Sequence, residues 1–534
     1  MLDIKYVRDN IEAVKKAIAD KVIELDLQQL LDLDDKRRNL LAEIEGFATT
    51  KNAFSKEIAS LNEEDKKTKL LEMQELDVRQ TELKAQLKEI EEEYNRLMYL
   101  VPNIPAPESP VGPDESANVP WSYWSPGVGF VDATDEEQIK QVPTKFDFTP
   151  KDHIELAKMH NLVDFDRGVE VSGFRGYYLK NEAVQLQYAL LNYAMDKLRA
   201  KGFEVMQTPT LVRDLALYGS GHFPSGRAEV FQVGNAAKLE DETKEQSYLA
   251  GTSEPSLIAY YADQILEESQ LPILLGGISP CYRSEVGSYG KDTKGLYRVK
   301  EFMKVEQVVI CKADLNEAEK WQEELREISE SILQDLKLPY RVLNIATGDM
   351  GAGKYKMYDI ETWMPGRNDY GETHSDSNLT DWQARRLNLR YRDGQGNIKY
   401  AYTLNNTAVA SPRILIPVLE NYQQSDGSIL VPDVLQAYLG KKVIGQTTLT
   451  PVEPNVVGSA PVAADPNVTS LATNVDGKMS LGKIEDAVKA HEDELKAESE
   501  DQEKSDSSTP EKDEAQDQTN SSKPTSTPSV PAGL

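Results

Sequence analysis

Arg283-Ser284-Glu285-Val286-Gly287-Ser288-Tyr289-Gly290-Lys291-Asp292-Thr293-Lys294-Gly295-Leu296-Tyr297-Arg298-Val299-Lys300-Glu301-Phe302-Met303-Lys304-Val305-Glu306 joins two strand-like runs through a glycine-rich turn. Gly287, Gly290 and Gly295 mark a mobile turn between two runs of strand character, which predicts a β-hairpin. Side chains alternate along a strand, so Phe302, Lys304 and Glu306 share one face, with Val299, Met303 and Val305 mainly on the other. Arg283 and Glu285 likewise share a face of the first strand. A hairpin that only buried one side would not line a face with Arg, Glu, Phe, Lys and Glu. Such a face suits an anionic, partly aromatic ligand, and a nucleotide fits.

Outward from this hairpin, further strands are predicted at 340–346, 356–363 and 400–404, and the hairpin strands themselves at 272–285 and 297–311. Helices are predicted at 184–201, 255–268, 314–336 and 412–423. Gly202 to Thr210 reads as a strand that ends at Pro209. Strands joined mostly by hairpins, with helices beside them, predict an α+β domain on an antiparallel sheet over 146–445.

The N-terminal 101 residues contain no proline and one glycine, Gly46. Leu33, Leu40, Phe47, Phe54 and Leu61 recur every seven residues, with Ile44 and Ile58 between them. After Asn62-Glu63-Glu64-Asp65 a second series follows at Leu76, Leu83, Ile90 and Leu97, joined by Met73, Leu87 and Tyr94. Two such stretches and one short turn predict an antiparallel coiled-coil hairpin of roughly 35 residues per arm, about 50 Å long. A hairpin of that length projects from its domain. Arg37, Arg38, Lys51, Lys56, Lys66, Lys67, Lys69, Lys84 and Lys88 lie off its apolar seam, either as a solvated face or, as a group, as contacts to phosphates.

Pro102 to Pro113 ends the helix and reads as a stiff linker, with 102–145 a connecting segment. From 446 to 534 Asp, Glu, Ser, Thr, Lys and Pro take over. This acidic tail is expected to be disordered, with at most a short helix near 481–495. The formal net charge of −29 lowers the expectation of nucleic-acid binding. It does not exclude it, because a basic patch acts locally within a Debye length of about 8 Å. Cys281 and Cys311, the only cysteines, have no second Cys or His at metal-ligand spacing, which argues against zinc and suits a reducing cytoplasm. No apolar run approaches the roughly 18 residues of a membrane span.

Three further clusters carry chemistry: Thr252-Ser253-Glu254-Pro255 before a helix, Glu372-Thr373-His374-Ser375 after a strand, and Thr403 to Arg413, small and hydroxyl-rich, leading into a helix near Pro412. With the Arg283 hairpin and the heptad arm, all in this order, the chain from Met1 to about Gly440 resembles the seryl-tRNA synthetases, a family of class II aminoacyl-tRNA synthetases of the bacterial, non-zinc type. The resemblance implies an N-terminal tRNA-binding domain (1–101), a class II catalytic domain, and a homodimer formed partly through Gly202 to Pro209. It implies activation of L-serine with ATP to seryl-adenylate and pyrophosphate, then transfer to the 3′ ribose of tRNA(Ser), with tRNA(Sec) left open as a second substrate.

By family position, Arg283 bridges the amino-acid carboxylate and the α-phosphate, Arg413 holds the far phosphates, Phe302 stacks on adenine and Glu285 lies near the base. Ser284, Val299, Thr373 and His374 complete the implied ATP site, and Glu372 and Ser375 the Mg²⁺ ligands. Thr252, Ser253, Glu254, Glu306, Asn405 and Thr407 form the implied serine site, with Thr407 and Asn405 on the hydroxyl. The sequence departs from the family pattern at Thr373 and His374, and at Asn406, Ala408 and Ala410, where the wider class has glycines. Two other readings remain open: an inactive paralogue that keeps the arm for RNA binding, and a ligase that charges a carrier protein, which the long arm opposes.

Overall fold

A computed structural model of the chain describes residues 1–58, 61–234, 246–285 and 294–445. Most of the glycine-rich turn (286–293), the tail from 446 and the helix expected near 481–495 lie outside the described residues.

Two short helices, α1 (Ile4–Asp9) and α2 (Ile11–Asp20), precede the long pair α3 (Leu27–Glu57) and α4 (Glu63–Leu100). Asp26 caps α3 by accepting from Gln29 N, and Asn62 caps α4 by accepting from Asp65 N. Glu63, Glu64 and Asp65 in the first turn of α4 oppose the helix dipole. The second arm therefore begins a dozen residues before its first strong heptad leucine. Along most of the pair the seam residues are only half-buried, as two helices alone can achieve. Leu83 is buried midway along α4, and Tyr94 and Leu97 near the base, where Val7, Val14, Leu27, Leu30 and Met98 close a small core.

The part of the chain after the arm is built on a nine-stranded sheet. Its strands are β1 (Val119–Ser125), β2 (Gly129–Asp132), β3 (Glu204–Gln207), β4 (Ile273–Tyr282), β5 (Glu301–Cys311), β6 (Tyr340–Asn344), β7 (Lys356–Met364), β8 (Asp369–Thr380) and β9 (Tyr402–Ser411), in the order β2-β1-β6-β7-β8-β9-β5-β4-β3. Every neighbouring pair is antiparallel except β4 with the edge strand β3. Two helices, α5 (Glu182–Ala200) and α6 (Leu315–Asp335), pack on one face. Leu186, Leu190, Leu325 and Ile332 meet Val305, Val309, Leu404 and Ala408 there in one core.

Several expectations change. The segment 102–145 is more than a linker: β1 and β2 join the sheet, and Trp124 stacks on Tyr340 at 5.6 Å. The helix expected at 255–268 ends after Ala259, and Asp263 adopts a left-handed φ of 59° before a short strand at Ile265–Glu267. β4 stops at Tyr282 and β5 starts at Glu301, so strand alternation reaches neither Glu285, whose φ is 54°, nor Val299. β8 and most of β9 escape propensity reading. Their runs of Thr, His, Ser, Asp and Asn are poor strand formers, yet both are central strands held by burial and cross-strand pairing.

Candidate active site

The sheet face opposite α5 and α6 carries a cavity of about 280 Å³. Its wall gathers Thr252, Glu254, Arg283, Glu285, Val299, Phe302, Glu306, Glu372, Thr373, Ser375, Asn405, Thr407 and Arg413 from five separate segments. The register shift at Val305/Glu306, where β9 bulges by one extra residue at Ala408, sets Glu306 of β5 directly beside Thr407 of β9. Asp359 of β7 lies beside Ser375 of β8 by the same cross-strand logic.

Arg283 pairs with no carboxylate among the described residues. Its Nε donates to Gly251 O at 3.4 Å, and its guanidinium sits 5.3 Å from the Phe302 ring centroid. The simpler pairing with Glu285 does not form: Glu285 meets Arg175 at 3.1 Å and Arg298 at 3.5 Å. Phe302 is half-buried and faces the cavity rather than the core. A planar cation over an exposed aromatic face, with its fork unused, is set to receive a carboxylate or phosphate.

Arg413 is fixed. Its Nε donates to Tyr297 O at 3.0 Å, and its Nη1 to Glu372 O at 3.1 Å, with Glu372 Oε2 at 3.2 Å. Burial and the Glu372 carboxylate push the Asp359 carboxyl well above its ordinary range, and its Oδ1 has no hydrogen-bond partner. Glu372, Ser375 and Asp359 are all hard oxygen donors, the set a Mg²⁺ ion takes. No three His, Cys, Asp or Glu among the described residues could hold a metal alone. A Mg²⁺ ion there would draw its remaining ligands from phosphates and water.

Glu306 is buried beside Lys304. Its Oε2 faces the ammonium without hydrogen-bond geometry, and burial raises its pKa despite that cation. Glu254 Oε1 accepts from Asn405 Nδ2 at 2.9 Å and from Gln383 Nε2 at 2.6 Å. Gln383 in turn accepts from Thr403 Oγ1 at 2.7 Å. This chain of amides and hydroxyls fixes Asn405 next to Thr407. The sequence reading missed Gln383, whose signal was only a polar residue after Trp382.

Three expected site residues lie off the cavity wall. Ser253 Oγ donates to Gly277 O at 3.3 Å, and Ser284 Oγ to Ala228 O at 2.8 Å, so both serve the backbone. His374 is buried on the far side of β8, with Nε2 3.1 Å from Ala408 O and Nδ1 2.9 Å from Thr373 Oγ1. Alternation turns it away from the side that Ser375 faces, and the register shift that leaves Thr373 without a cross-strand partner lets both Thr373 and Glu372 reach the wall. Others enter unannounced: Tyr297, Arg298, His222 and the loop Gly351–Lys354 all line the cavity. Burial holds His222 down to about 4, with Glu254 opposing and Lys354, Arg283 and Lys304 assisting. Gly221 before it, at φ 90°, ends a helix, and that turn was the one readable hint.

Comparison with known proteins adds to this geometry. Residues 238–422 match the tRNA synthetase class II core domain (G, H, P, S and T). The sheet and its cavity are therefore those of a class II aminoacyl-tRNA synthetase. Residues 1–105 match the seryl-tRNA synthetase N-terminal domain. Serine–tRNA ligase of Deinococcus radiodurans is 44% identical over 447 residues, covering 84% of this chain and 99% of that one. That of Borrelia garinii subsp. bavariensis is 41% identical, covering 82% and 98%. The crystal structure of seryl-tRNA synthetase from Pyrococcus horikoshii complexed with ATP superposes with a TM-score of 0.73 at 38% identity, covering 83% of this chain and 99% of that one. The chain belongs to the seryl-tRNA synthetases, the serine–tRNA ligases.

Proposed function

We propose that the cavity performs both steps of serine–tRNA ligation: formation of seryl-adenylate from L-serine and ATP, and transfer of the seryl group to the terminal ribose of tRNA(Ser). The observation that carries this reading is the Arg283 guanidinium, without a carboxylate partner among the described residues, lying over Phe302 in the same cavity as Glu306 and Thr407. Adenine stacks on Phe302, and Arg283 holds the serine carboxylate against the α-phosphate. Proximity and charge stabilisation supply the rate, since little covalent work falls to the protein. Arg413, immobilised by Tyr297 and Glu372, takes the far phosphates. Glu372 and Ser375, with Asp359 behind them, would hold Mg²⁺, which when bound neutralises phosphate charge.

At the other end Thr407, Asn405, Thr252 and Glu306 read serine. Partners for a hydroxyl that would otherwise stay buried and unpaired discriminate against alanine by roughly 10⁴–10⁵. The arm supports tRNA by shape and backbone. Arg37, Lys51, Lys66 and Lys69 make ion pairs within the hairpin. Arg38, Lys56, Lys67, Lys84 and Lys88 meet no carboxylate among the described residues, and are the group we assign to tRNA phosphates. A homodimer through the edge strand β3, charging of tRNA(Sec) and a cytoplasmic setting belong to the same reading. The buried free thiols Cys281 and Cys311 suit that setting. Serine-dependent exchange of pyrophosphate into ATP tests the core of it, and absence of exchange in the intact protein would sink it.

A further inference from the structure

Lys21 follows the last turn of α2, and is 5% exposed. Its Nζ donates to three backbone carbonyls far along the chain: Gly351 and Ala352, both at 3.2 Å, and Lys354 at 2.5 Å. The remaining carbonyl of this loop, that of Gly353, accepts from Asn103 Nδ2 at 3.2 Å, and Asn103 N donates to Ala352 O at 2.9 Å. Every carbonyl from 351 to 354 is thus held by a residue that precedes the catalytic sheet. The same four residues line the cavity. Trp382 packs against the loop so closely that a Cβ on Gly353 would lie 2.6 Å from its ring. The loop is held between this ring and the Lys21 clasp.

A buried ammonium with carbonyls and no carboxylate around it is costly, and burial lowers its pKa to about 7. The loop also carries Lys354, which meets no carboxylate at ion-pair distance among the described residues. The loop packs on Trp382, whose neighbour Gln383 donates to the same Glu254 Oε1 that holds Asn405, and the Lys354 charge is felt at Glu306 and His222. It therefore belongs to the end of the cavity assigned above to serine.

We infer that Lys21, with Asn103, is a positioning residue for serine activation: the N-terminal domain, apart from its arm, sets the loop Gly351–Lys354 against the amino-acid end of the pocket. This rests on the assignment of Glu306 and Thr407 to serine. The first half-reaction, which needs no tRNA, then depends on a residue of the tRNA-binding domain.

The test is pyrophosphate exchange by full-length Lys21→Met, with serine and ATP varied separately and tRNA absent. The expected result is a serine KM raised roughly ten-fold, the loss of a charge-assisted hydrogen bond, with the ATP KM within about two-fold of the parent. Lys21→Arg, which keeps a buried donor, should recover most of it. Asn103→Ala should shift serine KM in the same direction, and carries the test if Lys21→Met does not fold. A purely structural role would lower kcat and melting temperature with both KM values unchanged, and that pattern overturns the inference. Thr407→Ala separates the two layers. If it raises serine KM while the Lys21 and Asn103 variants do not, the clasp is wrong and the site reading stands. If Thr407→Ala also leaves serine KM unchanged, the site reading fails.

Discussion

In the arm, charges find each other within a turn or across one helix pair: Lys51 with Asp77, Arg79 with Glu82, Arg96 with Glu93. In the pocket Arg413 pairs with Glu372 and Glu285 with Arg175, but other charges are left without full satisfaction: Arg283 over Phe302, Glu306 Oε2 against Lys304 without hydrogen-bond geometry, and Asp359 Oδ1 with no hydrogen-bond partner. Exposed pairs of the first kind contribute little to stability, about 0.2–1 kcal/mol each, and their loss is absorbed locally. Groups of the second kind are tolerated only because the sheet holds them, and the proposed site draws on their unused hydrogen-bonding capacity. The arm is organised by repetition and the pocket by convergence, so substitutions in the two regions should fail in different ways.

The sharpest break is expected at Arg283. Arg283→Ala should lower pyrophosphate exchange at least ~10²–10³-fold, the scale of removing one preorganised charge-stabilising donor. Its melting temperature should match the parent, since among the described residues the side chain makes one long hydrogen bond and no ion pair. An unchanged exchange rate would remove Arg283 from the chemistry. Next in size is the arm. Replacing Arg38, Lys56, Lys67, Lys84 and Lys88 by glutamine should weaken tRNA charging. It should also flatten the salt dependence of charging by roughly 0.7–0.9 in log–log slope for each phosphate left unneutralised. Exchange without tRNA should not move. Equal damage to both steps would collapse the distinction between the regions.

Smaller effects should follow burial. Leu404 lies in the main core on a central strand, and Leu83 in the two-helix seam, both 1% exposed. Leu404→Ala should cost about 3–4 kcal/mol and Leu83→Ala about 2, because a seam between two helices collapses around a cavity more readily than a sheet does. Denaturant titration followed separately by near-UV and far-UV signals would show it, and equal costs would refute the contrast. The smallest effect is a pH slope. His222 is held at about 4 against an ordinary 6.5, chiefly by burial. The unfolded chain therefore binds the extra proton between those values. The stability from His222 is complete above pH 6.5 and falls as pH drops toward 4, by at most on the order of 3 kcal/mol and less for a ring with some water contact. His222→Gln should flatten the melting-temperature profile over that window, and an unaltered slope would show that His222 does not titrate there.

The arm was legible to within a few residues. Its heptads depend on neighbours three and four positions away, and caps such as Asn62 state where a helix starts. The hairpin strands were legible too, because Phe302, Lys304 and Glu306 alternate with Met303 and Val305 over a regular stretch. Legibility failed where strand register gave way. Val299 reaches the cavity from a turn, against the face assigned to it, and Ser284 turns to Ala228 once β4 has ended at Tyr282. His374 was drawn into the site by a motif whose middle residues face both ways.

Repeat lengths, the order of the clusters and the side-chain types suited to phosphate and hydroxyl were readable from residue order alone, since these rest on local periodicity and on chemistry carried by single side chains. Long-range packing made β8 and β9 central strands despite their polar runs. Only it set Glu306 beside Thr407 and kept Arg283 apart from Glu285, and only it clasped a cavity loop with Lys21, 330 residues earlier. Those outcomes depend on register, burial and contacts between distant segments, which no local pattern encodes.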